Sequence, residues 1–372
     1  MPVAARAINP PLIIFGVFPG TRQFSLKWKP APKIRRPLSR HRQHAFPGTV
    51  VVAKILRWSA RALLVIVLVA VAAVVAFRLA AANRETGVRD VLAPTSGRLV
   101  QTSSGSVFIQ EQGPPGGIPV VLFHGTAAWS ELWRRTGEAL AAAGFRVIAL
   151  DLPPFGFSDR PGNYTREAQA ARVESVMRAL GAPPAIIVGH SFGAGAATEF
   201  AMRHPQRARA LVLVDAALGL TAAPAEVPFA LQPKWVREIL VSLTITNPLA
   251  TKTLLQSLIA KKERALPEYI EILQRPTTLR DSTSDIADWL HYFIGDDRAA
   301  LSADRAAYAK LAMPAAILWG DQDTVTPLAQ ARDLAILMPQ AKLTVLPGLG
   351  HIPQIEDPAV FNEALLGALQ TF

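Results

Sequence analysis

Residues 185–193 read Ala-Ile-Ile-Val-Gly-His-Ser-Phe-Gly, a strand, a tight turn and the start of a helix in nine residues. Ala185–Val188 is a short apolar run of the kind that forms a strand buried on both faces. Gly189-His190-Ser191-Phe192-Gly193 follows it, and Phe192–His204, rich in small residues, reads as a helix. A serine between two glycines at a strand-to-helix turn projects its hydroxyl from the end of a sheet. The glycines are required where a Cβ would meet neighbouring backbone. Alone, the five-residue pattern is only moderately specific. The strand before it and the helix after it remove most of the scope for accident.

Outward from the turn, apolar strands and helices alternate. Val107–Gln110, Val120–Phe123, Arg146–Leu150, Ala210–Val214, Ala315–Leu318 and Leu343–Leu346 have strand character. Helices are expected over Ser130–Ala143, Thr165–Leu180, Leu328–Leu337 and Pro358–Leu369. Continuous apolar strands alternating with helices predict an α/β fold, a mostly parallel central sheet covered on both faces. The alternation breaks over 219–310, where five helical stretches (Lys234–Thr244, Leu249–Arg264, Pro267–Leu273, Thr283–Ile294 and Ala303–Leu311) occur without strands. This region is expected to be a helical insertion between the core segments 98–218 and 311–372.

A serine hydroxyl needs a base to take its proton. His351, in Gly348-Leu349-Gly350-His351 just past the last strand, is the candidate. The base needs a carboxylate to fix its tautomer and stabilise the imidazolium. Asp323, in Trp319-Gly320-Asp321-Gln322-Asp323 after the strand Ala315–Leu318, is preferred over Asp321 in the same loop and Asp215 at the end of Ala210–Val214. The developing oxyanion needs preorganised N–H donors. Phe192 supplies one. Thr126, after His124-Gly125, is the choice for the second, ahead of Ala127. His124 itself is read as a structural hydrogen-bonding group.

Together these residues resemble the α/β-hydrolase superfamily, in the branch of bacterial esterases, cofactor-free haloperoxidases, dehalogenases and epoxide hydrolases. The resemblance runs from about Val107 to Leu369. Its marks are His124-Gly125, Asp151 with Phe155-Gly156-Phe157-Ser158, the Gly189–Gly193 turn, Gly320 to Asp323, and Gly350-His351. It implies that 219–310 caps the site. Pro154 departs from the pattern, since such sequences often carry glycine after the strand-end aspartate. Dehalogenases and epoxide hydrolases use aspartate as nucleophile, so Ser191 argues against both activities. The implied reaction is ester hydrolysis through an acyl-enzyme. Perhydrolysis and C–C bond hydrolysis by the same triad are alternatives within enzymes. A tethered, inactive binding protein is the alternative of another class.

The chain has 372 residues, 18% of them charged, and a formal net charge of +11. Twelve of its 39 Lys and Arg residues lie in Met1–Arg61, which has no Asp or Glu. The other 27 face all 28 acidic residues, so the body is close to neutral. A nucleic-acid enzyme carries its basic surface on the folded domain, and that class is set aside. With no cysteine, disulfides and thiolate nucleophiles are excluded. Nothing in the sequence calls for a metal or an organic cofactor.

Ala62–Phe77 is an uninterrupted apolar run, and with Arg78 able to snorkel it extends through Ala82, about the 20 residues a membrane-crossing helix needs. A transmembrane helix is expected over 60–82, followed by a linker over 83–97. The basic residues before it place the arm in the cytoplasm and the hydrolase core on the exported side. An uncleaved anchor is preferred to a signal peptide cut after Ala80-Ala81-Ala82. Residues 1–48 are expected to be disordered, with translation from near Val50 as a further option. A tethered domain with an apolar cap suits a lipophilic ester. Phe229, Trp235, Trp289, Tyr292 and Phe293 are candidates either to line its pocket or to pack cap against core.

Overall fold

The structure, a computed structural model, describes residues 47–220, 226–295, 297 and 299–372. The arm expected to be disordered therefore lies, up to residue 46, outside the described residues. The chain divides into two units, Met1–Arg61 and Ala62–Phe372. Helix α1 (Pro47–Arg84) opens in the first and ends in the second. Within it, Lys54–Arg84 is, among the described residues, the one helix long and apolar enough to cross a membrane. The helix is longer at both ends than the expected span. On the N-terminal side, residues 49–59 hold no proline or glycine to interrupt it.

The second unit is built on an eight-stranded sheet in the order β1-β2-β4-β3-β5-β6-β7-β8. The strands are β1 (Gly97–Thr102), β2 (Gly105–Gln112), β3 (Pro119–Phe123), β4 (Arg146–Leu150), β5 (Ala185–His190), β6 (Ala208–Val214), β7 (Ala315–Gly320) and β8 (Ala341–Leu346). The first two run antiparallel and the remaining six are mutually parallel. The central strands β3 and β5 are buried at every residue, as their unbroken apolar sequence requires when both faces are covered. Helices α2 (Arg89–Leu92), α3 (Arg134–Ala142), α4 (Arg166–Ala179) and α5 (Phe192–Arg203) precede the insertion. One core lies on the face that carries Val121, Ile187, Phe200 and Leu213, and another on the face of Leu122, Val188, Val212 and Phe361.

Between β6 and β7 the described residues form α6 (Lys234–Leu243), α7 (Pro248–Leu258), α8 (Pro267–Gln274), α9 (Ser282–Ile294) and α10 (Arg305–Tyr308), with no strand among them. Then come α11 (Leu328–Leu337), α12 (Pro353–Glu356) and α13 (Pro358–Leu369). Two expectations are corrected. The helix expected over Leu249–Arg264 ends at Leu258, because the Glu356 carboxylate accepts from the Ala260 and Lys261 N–H groups, which a continuing helix would have used. The stretch 83–97, expected as a linker, is tied to the domain. Gly87 N–H donates to Thr278 O (2.9 Å), Arg89 pairs with Asp159, and Glu85 accepts from Thr283.

Candidate active site

Three loops at the carboxyl ends of β5, β7 and β8 converge on one point, the end of a parallel sheet where ligands bind in open α/β folds. Ser191 follows β5 with φ 51° and ψ −122°, a strained backbone for a residue with a side chain. Its neighbours show why they are glycines. A Cβ on Gly189 would lie 2.6 Å from Ala194 Cα, and one on Gly193 would lie 2.4 Å from His124 O. The turn therefore closes only without side chains at both places.

The structure brings Ser191, His351 and Asp323 into one chain. His351 Nε2 is 2.8 Å from Ser191 Oγ, and His351 Nδ1 is 2.8 Å from Asp323 Oδ2. All three are buried. Asp323 is held in an Asx turn: its Oδ1 accepts from the N–H groups of Val325 (2.7 Å) and Thr326 (2.9 Å), and Thr326 Oγ1 donates to Oδ2 (2.6 Å). Burial by itself would raise this carboxyl. The hydrogen bond and charge of His351, together with Thr326, outweigh it and hold Asp323 below the usual carboxylate range. Asp323 therefore stays ionised against the imidazole, as an orienting carboxylate must.

The two rival carboxylates lie elsewhere. Asp321 is exposed and accepts from Gly348 N–H (2.7 Å) on the rim. Asp215 is completely buried; its Oδ1 accepts from Gly320 N–H (2.9 Å), while Oδ2 has no partner among the described residues. Burial, reinforced by the negative charge of Asp323, pushes Asp215 well above the carboxylate range.

Phe192 opens α5, so its N–H is one of those left free of intrahelical partners at the helix N-terminus beside Ser191. Thr126 and Ala127, both half-buried, follow Gly125, where a Cβ would come 3.1 Å from Ser191 Cβ. The loop after β3 thus runs against Ser191. Ala127 takes φ 57°. The N-terminus of α5 and the loop that carries Thr126 both adjoin the serine, and an oxyanion pocket needs its donors there.

His124 is buried with both ring nitrogens engaged. Leu152 N–H donates to Nε2 (2.8 Å), and Nδ1 donates to Gly125 O (2.8 Å). Burial pushes its pKa down to about 4. His190 is buried with only one ring nitrogen engaged: Nε2 donates to His351 O (2.7 Å), Nδ1 has no partner among the described residues, and burial, with the charge of His351, pushes its pKa down to about 3. His190 was not singled out from sequence, nor was Thr326 or Glu356. An aspartate bonds backbone N–H groups two or three residues on, but nothing local marked Thr326 as the donor of a hydroxyl to Asp323. For Glu356, which receives Gly350 N–H (2.9 Å) and fixes the loop before His351, no local signal existed.

The Pro153–Pro154 peptide is cis, and Pro153 O accepts from Gln169 Nε2 (2.6 Å). Among the five insertion aromatics singled out from sequence, Trp289 is buried against Phe155 (4.8 Å between ring centroids) and Phe192 (5.3 Å), and Phe293 stacks on it (4.7 Å). Tyr292 packs on Tyr164 (6.1 Å). Phe229 and Trp235 are exposed.

A parallel sheet with a serine, a histidine and a carboxylate joined in that order at its strand ends defines the class of the hydrolases. The comparisons bear on which hydrolases. Residues 118–358 match the family described as alpha/beta hydrolase fold. The chain is 29% identical over 275 residues to a 2-hydroxymuconate semialdehyde hydrolase of Pseudomonas putida, covering 72% of this chain and 92% of that one. It is 25% identical over 266 residues to Lipase 1 of Psychrobacter immobilis, covering 69% and 78%. Among solved structures, a thermophilic esterase from Thermogutta terrifontis superposes with a TM-score of 0.61 at 25% identity, covering 74% of this chain and 98% of that one. The chain belongs to the alpha/beta hydrolase family, and it is a hydrolase.

Proposed function

We propose that the protein is a membrane-anchored serine hydrolase that cleaves carboxylic esters through an acyl-enzyme on Ser191. The observation that carries this reading is the unbroken Ser191–His351–Asp323 chain, with 2.8 Å at each junction. His351 takes the Ser191 proton as the oxygen attacks the ester carbonyl. The tetrahedral oxyanion is met by the N–H groups of Phe192 and Thr126. His351 then returns the proton to the leaving alcohol. A water attacks the acyl-enzyme by the same route, and the acid departs. Asp323 orients the imidazole and stabilises its cation throughout.

The lipophilic character of the substrate is supported by the aromatic side chains of Phe155, Trp289 and Phe293 gathered on Phe192, the residue next to Ser191. The insertion 219–310 acts as the cap, supported by Trp289 on Phe192 and by His351 N–H donating to Leu258 O (3.0 Å). The anchor is the helical span over 60–82, the basic arm is cytoplasmic, and the core is exported.

A panel of p-nitrophenyl esters of increasing acyl length tests the reading. Turnover that rises beyond acetate and vanishes in Ser191→Ala is expected. Equal turnover by Ser191→Ala removes the acyl-enzyme, and a sharp preference for acetate removes the lipophilic substrate. The likeness to the P. putida hydrolase favours one second reading, C–C bond hydrolysis by the same residues. Faster turnover of a vinylogous diketone than of any ester would establish it.

A further inference from the structure

The exposed aromatics of the insertion lie where the anchor leaves its apolar run. The half-buried or buried positions of α1 in this region include Val74, Phe77, Arg78, Ala81 and Arg84, spaced three and four apart on one face. Two of them are fixed to the insertion. Arg78 Nη2 donates to Glu238 Oε2 (3.0 Å), and Arg84 Nη2 donates to Thr246 O (2.9 Å). Rising residue numbers on α1 thus meet rising numbers on α6 and the turn after it, so the two segments run in the same sense. Trp235 precedes Glu238 by three residues, about 4.5 Å back along the helix axis at 1.5 Å per residue. That is the direction of Ala62–Phe77, the apolar run.

Trp235 is 64% exposed and Phe229 is 87% exposed. Phe229 belongs to the turn before α6. That turn is pinned to the helix by the buried Arg237, which donates to Leu231 O (2.8 Å) and Gln232 O (2.5 Å). Both aromatics therefore project from the end of α6 that points back along the anchor. Large aromatic side chains exposed to water at that level are costly, whereas tryptophan and phenylalanine suit the headgroup and upper acyl region of a bilayer.

We propose that this edge of the insertion is a bilayer-docking surface, with Phe229 and Trp235 sunk into the lipid interface beside the anchor. This rests on the reading of α1 as a membrane span. The partner is the lipid surface itself, argued from continuity with the apolar run. The cap is then seated on the bilayer, not merely tethered near it, and a lipophilic ester reaches it from the membrane.

The absence of cysteine from the sequence makes the test direct. In the full chain, Phe229→Cys, Trp235→Cys, Val69→Cys and Ile336→Cys are each made and spin-labelled, then reconstituted in phosphatidylcholine–phosphatidylglycerol vesicles. All four positions are exposed in the protein, so the labels leave the core intact. Collision with oxygen and with a water-soluble nickel chelate reports depth. The labels at 229 and 235 are expected to favour oxygen, with the label at 69 deeper and that at 336 fully aqueous. Aqueous labels at 229 and 235 with a deep label at 69 overturn the docking surface and leave the anchor standing. Labels at 229 and 235 shielded from both reagents indicate a protein partner and overturn it too. An aqueous label at 69 removes the anchor and the docking surface with it.

Discussion

Asp215 and Asp323 show how environment assigns different roles to one residue type. They follow neighbouring parallel strands and both are buried. Asp323 receives two backbone N–H groups, a hydroxyl and an imidazole, and is held ionised. Asp215 receives one N–H, and burial and its neighbour's charge raise its carboxyl and so favour the neutral form. The amide therefore mimics Asp215 and not Asp323. In Asp323→Asn the side chain offers His351 the wrong partner, and kcat is expected to fall on the order of 10⁴-fold, the scale of tautomer reversal in a serine triad. Asp215→Asn is expected to retain kcat within a few-fold. Steady-state kinetics on one ester decide it, and equal losses in both variants would contradict the assignment. From sequence alone, Asp323 was preferred for its place just after the strand Ala315–Leu318 and for the chain order Ser, Asp, His. The Asx turn that distinguishes it physically depends on Thr326 folding back, which a linear reading does not weigh.

At the level of elements, Glu356 joins parts of the chain that no sequence pattern connects. Its carboxylate takes N–H groups from Gly350, Ala260 and Lys261. One side chain thereby ends α7, fixes the loop before His351 and joins the insertion to the core. Glu356→Gln turns an NH₂ toward at least one of these donors. A buried donor left unpaired costs about 1–3 kcal/mol, so thermal unfolding should shift down by several degrees, with kcat reduced through misplacement of His351. An unchanged melting temperature would contradict this role. The strand β1 was equally unreadable, because Gly97–Thr102 buries only Val100 fully and shows no apolar run. β3 through β7 were readable because both faces are covered, which forces continuous apolar sequence. The α7 boundary was lost to a contact 96 residues away, beyond the reach of any local propensity.

Over the whole molecule, two buried histidines make stability depend on pH. His124 and His190 sit at the base of the serine turn, each hydrogen-bonded as the neutral ring, with pKa pushed down to about 4 and about 3. A depressed pKa means that the unfolded chain binds the proton more readily. The stability contributed is fully present above about 6.5 and is lost as pH falls toward those folded values. By pH 5 each histidine should have withdrawn about 2 kcal/mol. Melting in detergent should therefore fall steadily between pH 7 and pH 5, and a flat profile would contradict the two neutral rings.

The sheet and the three loops at its strand ends gather around one hydroxyl, Ser191 Oγ. Intact-protein mass spectrometry after treatment with a fluorophosphonate tests its role as nucleophile most directly. One adduct, mapped to Ser191 and absent from Ser191→Ala, is the predicted result. Labelling that survives the substitution, or maps to another residue, would contradict the account.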